Sequence, residues 1–279
     1  MNHAKHSRHH LGLALGSLAA KECHALQAVL ASSKNPHDLI HEARRCGRKL
    51  RSLLTALPPS PQVARIDQQL KQLIHGFSPL RDAQIVIRTA QRLASAHNLQ
   101  ITPALGEQLQ QRSTALLEDA VKQDPGWMKR QDQAERIGQT INTLPWSSIT
   151  PAMTKAMLRR SSKRVKKARR KALEQRTNEA FHRSRRRARW LRYQLEFLRK
   201  AGHDAGMKKK RIQRYGMRIK RLRSIIDRLG WRQDYQVFLQ AIDQLPATDE
   251  VVQLRHALAR TSATRTRRAS PRIEPPAAQ

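Results

Sequence analysis

Two stretches decide how this chain is read: HEARRCGRKLRSLL at 41–54 and FHRSRRRARWLRYQLEFL at 181–198. In the first, Arg44, Arg48 and Arg51 follow His41 by three, seven and ten positions. In the second, His182, Arg185, Arg189 and Arg192 repeat that spacing, each shifted by 141 positions. At about 100° per residue, such positions fall within roughly 80° of one another on an α-helix. Each stretch therefore reads as a helix bearing one histidine and three arginines in a single column.

The surroundings repeat as well. Gly76 is followed by Arg81 and Asp82, and Gly230 by Asp234, each time opening an apolar helix. The matching order of elements points to an internal duplication. Elsewhere apolar residues recur at three and four, as in Leu105, Leu109, Leu116 and Leu117, and no sustained alternation argues for a strand. Capping residues precede proline at Asn35–Pro36, Ser78–Pro79, Thr102–Pro103 and Thr150–Pro151. Stop signals sit at 58–61, at Gly76, and at Gly202 and Gly230.

The expected helices are 9–33, 37–57, 62–75, 79–97 and 103–122, then 151–174, 178–201, 205–229, 231–245 and 249–260. This predicts an all-α chain in two helical halves, 9–122 and 151–260. Connector 123–150 holds at most one short helix between them, and the basic tail 261–279 is expected to be disordered.

The N-terminus admits two readings. Basic residues precede the apolar run Leu11–Ala20, with a small-x-small step at Ser17–Ala19, in the manner of a short signal peptide. The stripe Leu11, Leu15, Leu18 nevertheless continues to Leu26, Val29 and Leu30, which favours a helix. His3, His6, His9 and His10 have helical spacing for a metal, but a solvated tail is the simpler reading and no metal is assigned.

Composition narrows the function. The 279 residues carry 55 Lys and Arg against 21 Asp and Glu, a formal charge of +34, with 39% apolar and 4% aromatic residues. Such an excess repels itself and attracts polyanions: nucleic acid, anionic lipid or inorganic polyphosphate. No apolar run approaches the roughly 20 residues that cross a bilayer, and a membrane partner is not expected. Cys23 and Cys46 are too few for a disulfide framework, which makes a reducing cytoplasm the default location.

Arginine forks match phosphate oxygens bidentately and stay charged. Two further columns share the spacing: Arg160, Lys163, Lys167, Arg170 and Arg211, Arg214, Arg218, Arg221. Of the 55 cations, 28 lie between Lys155 and Arg223, with only four acids among them. One such column is ordinarily a solvated helix face. Several on neighbouring helices with so few counter-charges read as a shared polyanion groove. Both column histidines are expected to be neutral at pH 7, since nearby cations oppose protonation; each donates to phosphate, orients a neighbour or is satisfied in the bundle. A phosphorylated histidine is disfavoured, for want of a carboxylate partner.

At these residues the chain resembles a family. The stretches at 41–54 and 181–198 look like the two signature helices of CHAD, the conserved histidine α-helical domain, and SPLRDAQIVI at 78–87 and LGWRQDYQVFL at 229–239 are similar to its segments after each third helix. The likeness spans about 9–260, and WLRYQLE at 190–196 is its most specific part. It implies two four-helix bundles related by a pseudo-twofold, a basic groove or channel between them, and binding of inorganic polyphosphate at bacterial granules. Carried over to this sequence, the polyphosphate contacts are His41, Arg44, Arg48, Lys49, Arg51, His182, Arg185, Arg189 and Arg192. Lys163, Lys167 and Arg170 join them from the basic helix, and Arg214 and Arg218 from the column after it. Gly47, inside the first signature helix, departs from the expected helix former.

The family occurs fused to CYTH triphosphate-processing domains, but this chain has no Glu-x-Glu-x-Lys signature and no phosphate loop, so catalysis and cofactors are not expected. The alternative is non-specific binding of DNA or RNA, which the charge supports, though no recognised nucleic-acid motif occurs and few aromatics could stack bases. Granule-associated proteins are further potential partners.

Overall fold

The computed structural model describes residues 2–97 and 101–268, and the side chains of 11–95 and 101–258. The side chains of His3, His6, His9 and His10 and the tail beyond 268 therefore lie outside the described residues. The elements are α1 (Asn2–Leu30), α2 (Pro36–Leu54), α3 (Pro61–Gly76), α4 (Ser78–His97), α5 (Pro103–Gln123), α6 (Met128–Asn142), α7 (Pro151–Gln175), α8 (Asn178–Asp204), α9 (Lys209–Asp243) and α10 (Asp249–Arg268). Short 3₁₀ turns stand at Pro125–Trp127 and Trp146–Ser148, and no strand occurs among the described residues. The fold is all-α, as the periodicity requires.

Local chemistry sets the helix starts. Asn35 accepts from the His37 amide at 2.9 Å, Thr102 from Leu105 at 3.3 Å and Thr150 from Met153 at 3.2 Å. Each satisfies an amide that the first turn leaves without a partner. Ser60 caps α3 in the same way, through Val63. Ser78 heads α4 but spends its hydroxyl on a distant arginine, Arg44.

The structure corrects three expectations. The connector contains α6, a helix of 15 residues that buries Ala134, Ile137 and Ile141 against α1 and α3. Its buried face holds only two large apolar side chains, Ile137 and Ile141, beside Ala134 and Gly138, too sparse to stand out in sequence. Gly230 does not end a helix: α9 runs unbroken from Lys209 to Asp243. A Cβ there would lie 2.7 Å from Arg185 Nη2, so the glycine makes room for a guanidinium instead of terminating the chain's turn. At the far end, α10 continues to Arg268, past Thr261.

Two compact units emerge, with boundaries inside α4, α5 and α9. The larger comprises 1–82 and 115–233. Its core includes Leu11, Leu15, Leu26 and Leu30 of α1, so the run that resembles a signal peptide forms a buried helix stripe. Trp127 and Trp146 are also buried there, Trp127 edge-on to Phe77 and Trp146 donating to the Ile141 carbonyl oxygen at 2.8 Å. The smaller unit, 83–114 with 234–279, buries Val86, Leu93, Leu105, Leu109, Phe238 and Leu254.

Candidate anion-binding site

In the larger unit, α2 and α8 pack against each other. The Arg51 guanidinium lies 5.5 Å from the Trp190 ring centroid, and Gln194 donates to Thr55 Oγ1 at 2.8 Å. Contact partners rise together in number, so the two signature helices run in the same direction. Buried Leu50, Ala188, Leu191 and Leu195 fix their inner faces, and the column residues follow from helical periodicity.

The structure sorts the columns by what each cation touches. Arg44, 9% exposed, donates from Nη1 to the Ile74 carbonyl oxygen at 2.5 Å and to Ser78 Oγ at 2.9 Å. Arg185 does the equivalent in the second repeat, from Nε to the Ile226 carbonyl oxygen at 3.2 Å and from Nη1 to Gln233 Oε1 at 2.7 Å. Each first arginine thus fastens its signature helix to a later helix of the same repeat, α3 or α9. Arg44 and Arg185, at matching places in the two columns, each reach a backbone carbonyl on a later helix.

Other cations are paired with acids. Arg51 grips Asp67 through two parallel bonds of 2.8 and 2.9 Å. Lys49 pairs with Glu22 at 2.7 Å. Arg192 lies 3.9 Å from Glu196, with its guanidinium 4.7 Å from the Tyr193 ring centroid.

Arg48 differs from all of these. Its Nε donates to the Arg44 carbonyl oxygen at 2.9 Å, and among the described residues it makes no ion pair. Burial first, then Arg189, Arg44 and Arg81, push its guanidinium well below the usual arginine range, with Tyr193 acting the other way. Arg44 is pushed down to about 10 by burial, Arg81 and Arg189, partly offset by Asp82. Four guanidiniums from α2, α4 and α8 therefore share one electrostatic neighbourhood, in which Arg44 and Arg48 are held below the usual arginine range.

His182, half-buried on α8, is held below its ordinary value by burial and then by Arg186, Arg185 and Arg189, while its hydrogen bond with Gln233 works against them. It is neutral at pH 7, as the sequence predicts. His41 stands at an exposed position on α2, so the two histidines occupy unlike surroundings.

The remaining sequence candidates lie on α7 and α9. Lys163 and Lys167 are exposed, and Arg170, also exposed, lies 3.4 Å from Glu174. Arg218 reaches α7 by donating to Ser162 Oγ at 2.8 Å, and Arg214 is exposed. Arg81 was missed as a site residue because it lies outside the columns, bonded to Asp82 at 2.7 Å. The segment SPLRDAQIVI held the signal, since the arginine directly precedes the repeated aspartate.

Among the described residues, no cluster of His, Cys, Asp and Glu has the makings of a metal site, and no helix is long and apolar enough to cross a membrane. What the geometry provides is fixed positive charge presented by rigid helices.

The CHAD domain model matches residues 14–243, and the chain belongs to that family. Among solved structures, it is similar to the crystal structure of the CHAD domain from the plant Ricinus communis, with 19% identity, 91% of this chain and 87% of that chain covered, and a TM-score of 0.65. That likeness concerns the fold. No curated protein sequence matches the chain significantly.

Proposed function

We propose that this protein binds inorganic polyphosphate without catalysing its turnover, and that binding directs it to polyphosphate granules in the cytoplasm. The observation that carries this reading is the grouping of Arg44, Arg48, Arg81 and Arg189, in which burial and like charge depress Arg44 and Arg48 despite the opposing pull of Asp82 on the first and Tyr193 on the second. Such a grouping is costly without an anion and favourable with one. An extended chain of phosphates supplies oxygens at every unit, and forked guanidiniums take them bidentately. His182, being neutral, can donate one ring N–H to phosphate without adding to the repulsion.

The test is competition between long-chain polyphosphate and double-stranded DNA, matched for total phosphate, at physiological salt. Both are polyanions, so the salt-dependent background is shared. Polyphosphate displacing DNA at a small fraction of its phosphate concentration is the expected result. DNA holding equally well would mean a general polyanion binder, the nucleic-acid alternative.

A further inference from the structure

Beside the columns, the larger unit contains a recess of about 530 Å³ between α1, α2, α8 and α9. We infer that this recess is a subsite for a short linear oligophosphate, of about three phosphate units, bordering the surface that takes the polymer and sharing Lys49 and Arg192 with it. The inference deepens the polyphosphate reading and rests on it for the chemistry of the ligand.

Size comes first. Small-molecule pockets measure about 300–1,000 Å³, and this recess falls among them. Charge comes next. Arg45, Lys49, Arg192, Arg199, Lys200 and Arg223 line it, against the carboxylates of Glu22 and Glu196. Glu22 is taken by Lys49 at 2.7 Å and Glu196 by Arg223 at 3.0 Å. Four cations are left uncompensated, and a chain of about three phosphates carries a comparable negative charge near neutral pH.

The walls decide between a free oligophosphate and a nucleotide. Tyr193, Phe197 and Ile219 supply the apolar lining, which lowers the local dielectric and strengthens each phosphate contact. Tyr193 and Phe197 are each only 4% exposed, so neither offers a ring face on which a base could stack. The lining thus suits an inorganic ligand. Arg45, Arg199, Lys200 and Arg223 fall outside the repeated columns, which is why spacing alone did not mark them.

The experiment is titration calorimetry of the full chain with sodium tripolyphosphate, ATP and long-chain polyphosphate at physiological salt. The variants are Arg199→Gln with Lys200→Gln, and separately Arg48→Met. Arg199 and Lys200 are exposed, so a near-wild-type melting temperature will show that the double variant folds. Losing two charge-assisted contacts should weaken tripolyphosphate by about tenfold or more in the double variant while changing long-chain binding by less than about threefold. Arg48→Met should show the reverse order. Equal losses for both ligands, or no tripolyphosphate binding by wild type, would overturn the subsite. ATP binding more tightly than tripolyphosphate would overturn the inorganic assignment. If long-chain polyphosphate fails to bind while tripolyphosphate binds and is lost in the double variant, the recess stands and the polymer reading falls.

Discussion

Replacing Arg48 by Met should stabilise the empty protein and weaken its ligand binding at once. Met keeps much of the apolar stem and removes the guanidinium, including the bond from Nε to the Arg44 carbonyl oxygen, at a cost of about 1 kcal/mol. Against that stands relief from Arg189, Arg44 and Arg81. One like charge at about 8 Å, in a medium of effective dielectric about 20, costs about 2 kcal/mol, and solvent access trims the sum over the three. A net gain of about 1 kcal/mol corresponds to a rise of about 3 °C in Tm for a chain of this size. Ligand at a hundredfold excess over Kd stabilises wild type by about 2.7 kcal/mol; tenfold weaker binding would leave about 1.4 kcal/mol at the same concentration. Calorimetric melts with and without polyphosphate should therefore show the ligand-induced shift falling from about 8 °C to about 4 °C while the ligand-free Tm climbs. Lys71→Met, at an exposed position outside the columns, is the control. A fall in the ligand-free Tm, or an undiminished ligand shift, would refute the account of Arg48.

Three further outcomes are expected. In Gly47→Ala the new Cβ would sit 2.8 Å from Ile74 Cγ1, so overpacking of about 1–3 kcal/mol should outweigh a helix gain of about 1 kcal/mol; adding Ile74→Ala removes that atom, so the double variant should lose less Tm than the two single losses summed. Arg51→Ala should cost about 1–2 kcal/mol by denaturant melt through loss of the bidentate Asp67 pair, and a double-mutant cycle with Asp67→Ala should recover most of that as coupling. For His182 the folded value lies below the unfolded 6.5, so as pH falls the unfolded chain takes the proton first and stability drops from 6.5 down to the folded value. Tm profiles between about pH 7 and pH 5 should be flatter for His182→Gln than for wild type, and parallel profiles would remove the histidine from the linkage.

Periodicity and caps were enough to read most helices from sequence, because Asn35, Thr102 and Thr150 act within three residues of themselves. Features set by distant partners were not readable. Gly230 looks like a terminator until Arg185, 45 positions earlier, is seen to occupy the space of its missing side chain. Gly47 looks like a defect until Ile74 of α3 is found against it. Spacing cannot tell an arginine fastened to a carbonyl, such as Arg44, from one held among like charges, such as Arg48. That difference depends on where α3 and α4 end and begin in space. It also explains why Arg81, outside every column, belongs with the group.

Arg44 and Arg185 tie helices together through carbonyl oxygens, so part of the cement of the architecture is itself cationic. A lineage that ceased to need the ligand could shed exposed lysines one by one without harm. It could not discard these two guanidiniums without rebuilding the helix contacts they secure. Part of the positive potential would then outlive the function that first favoured it, as a fossil of ancestry written into the fold.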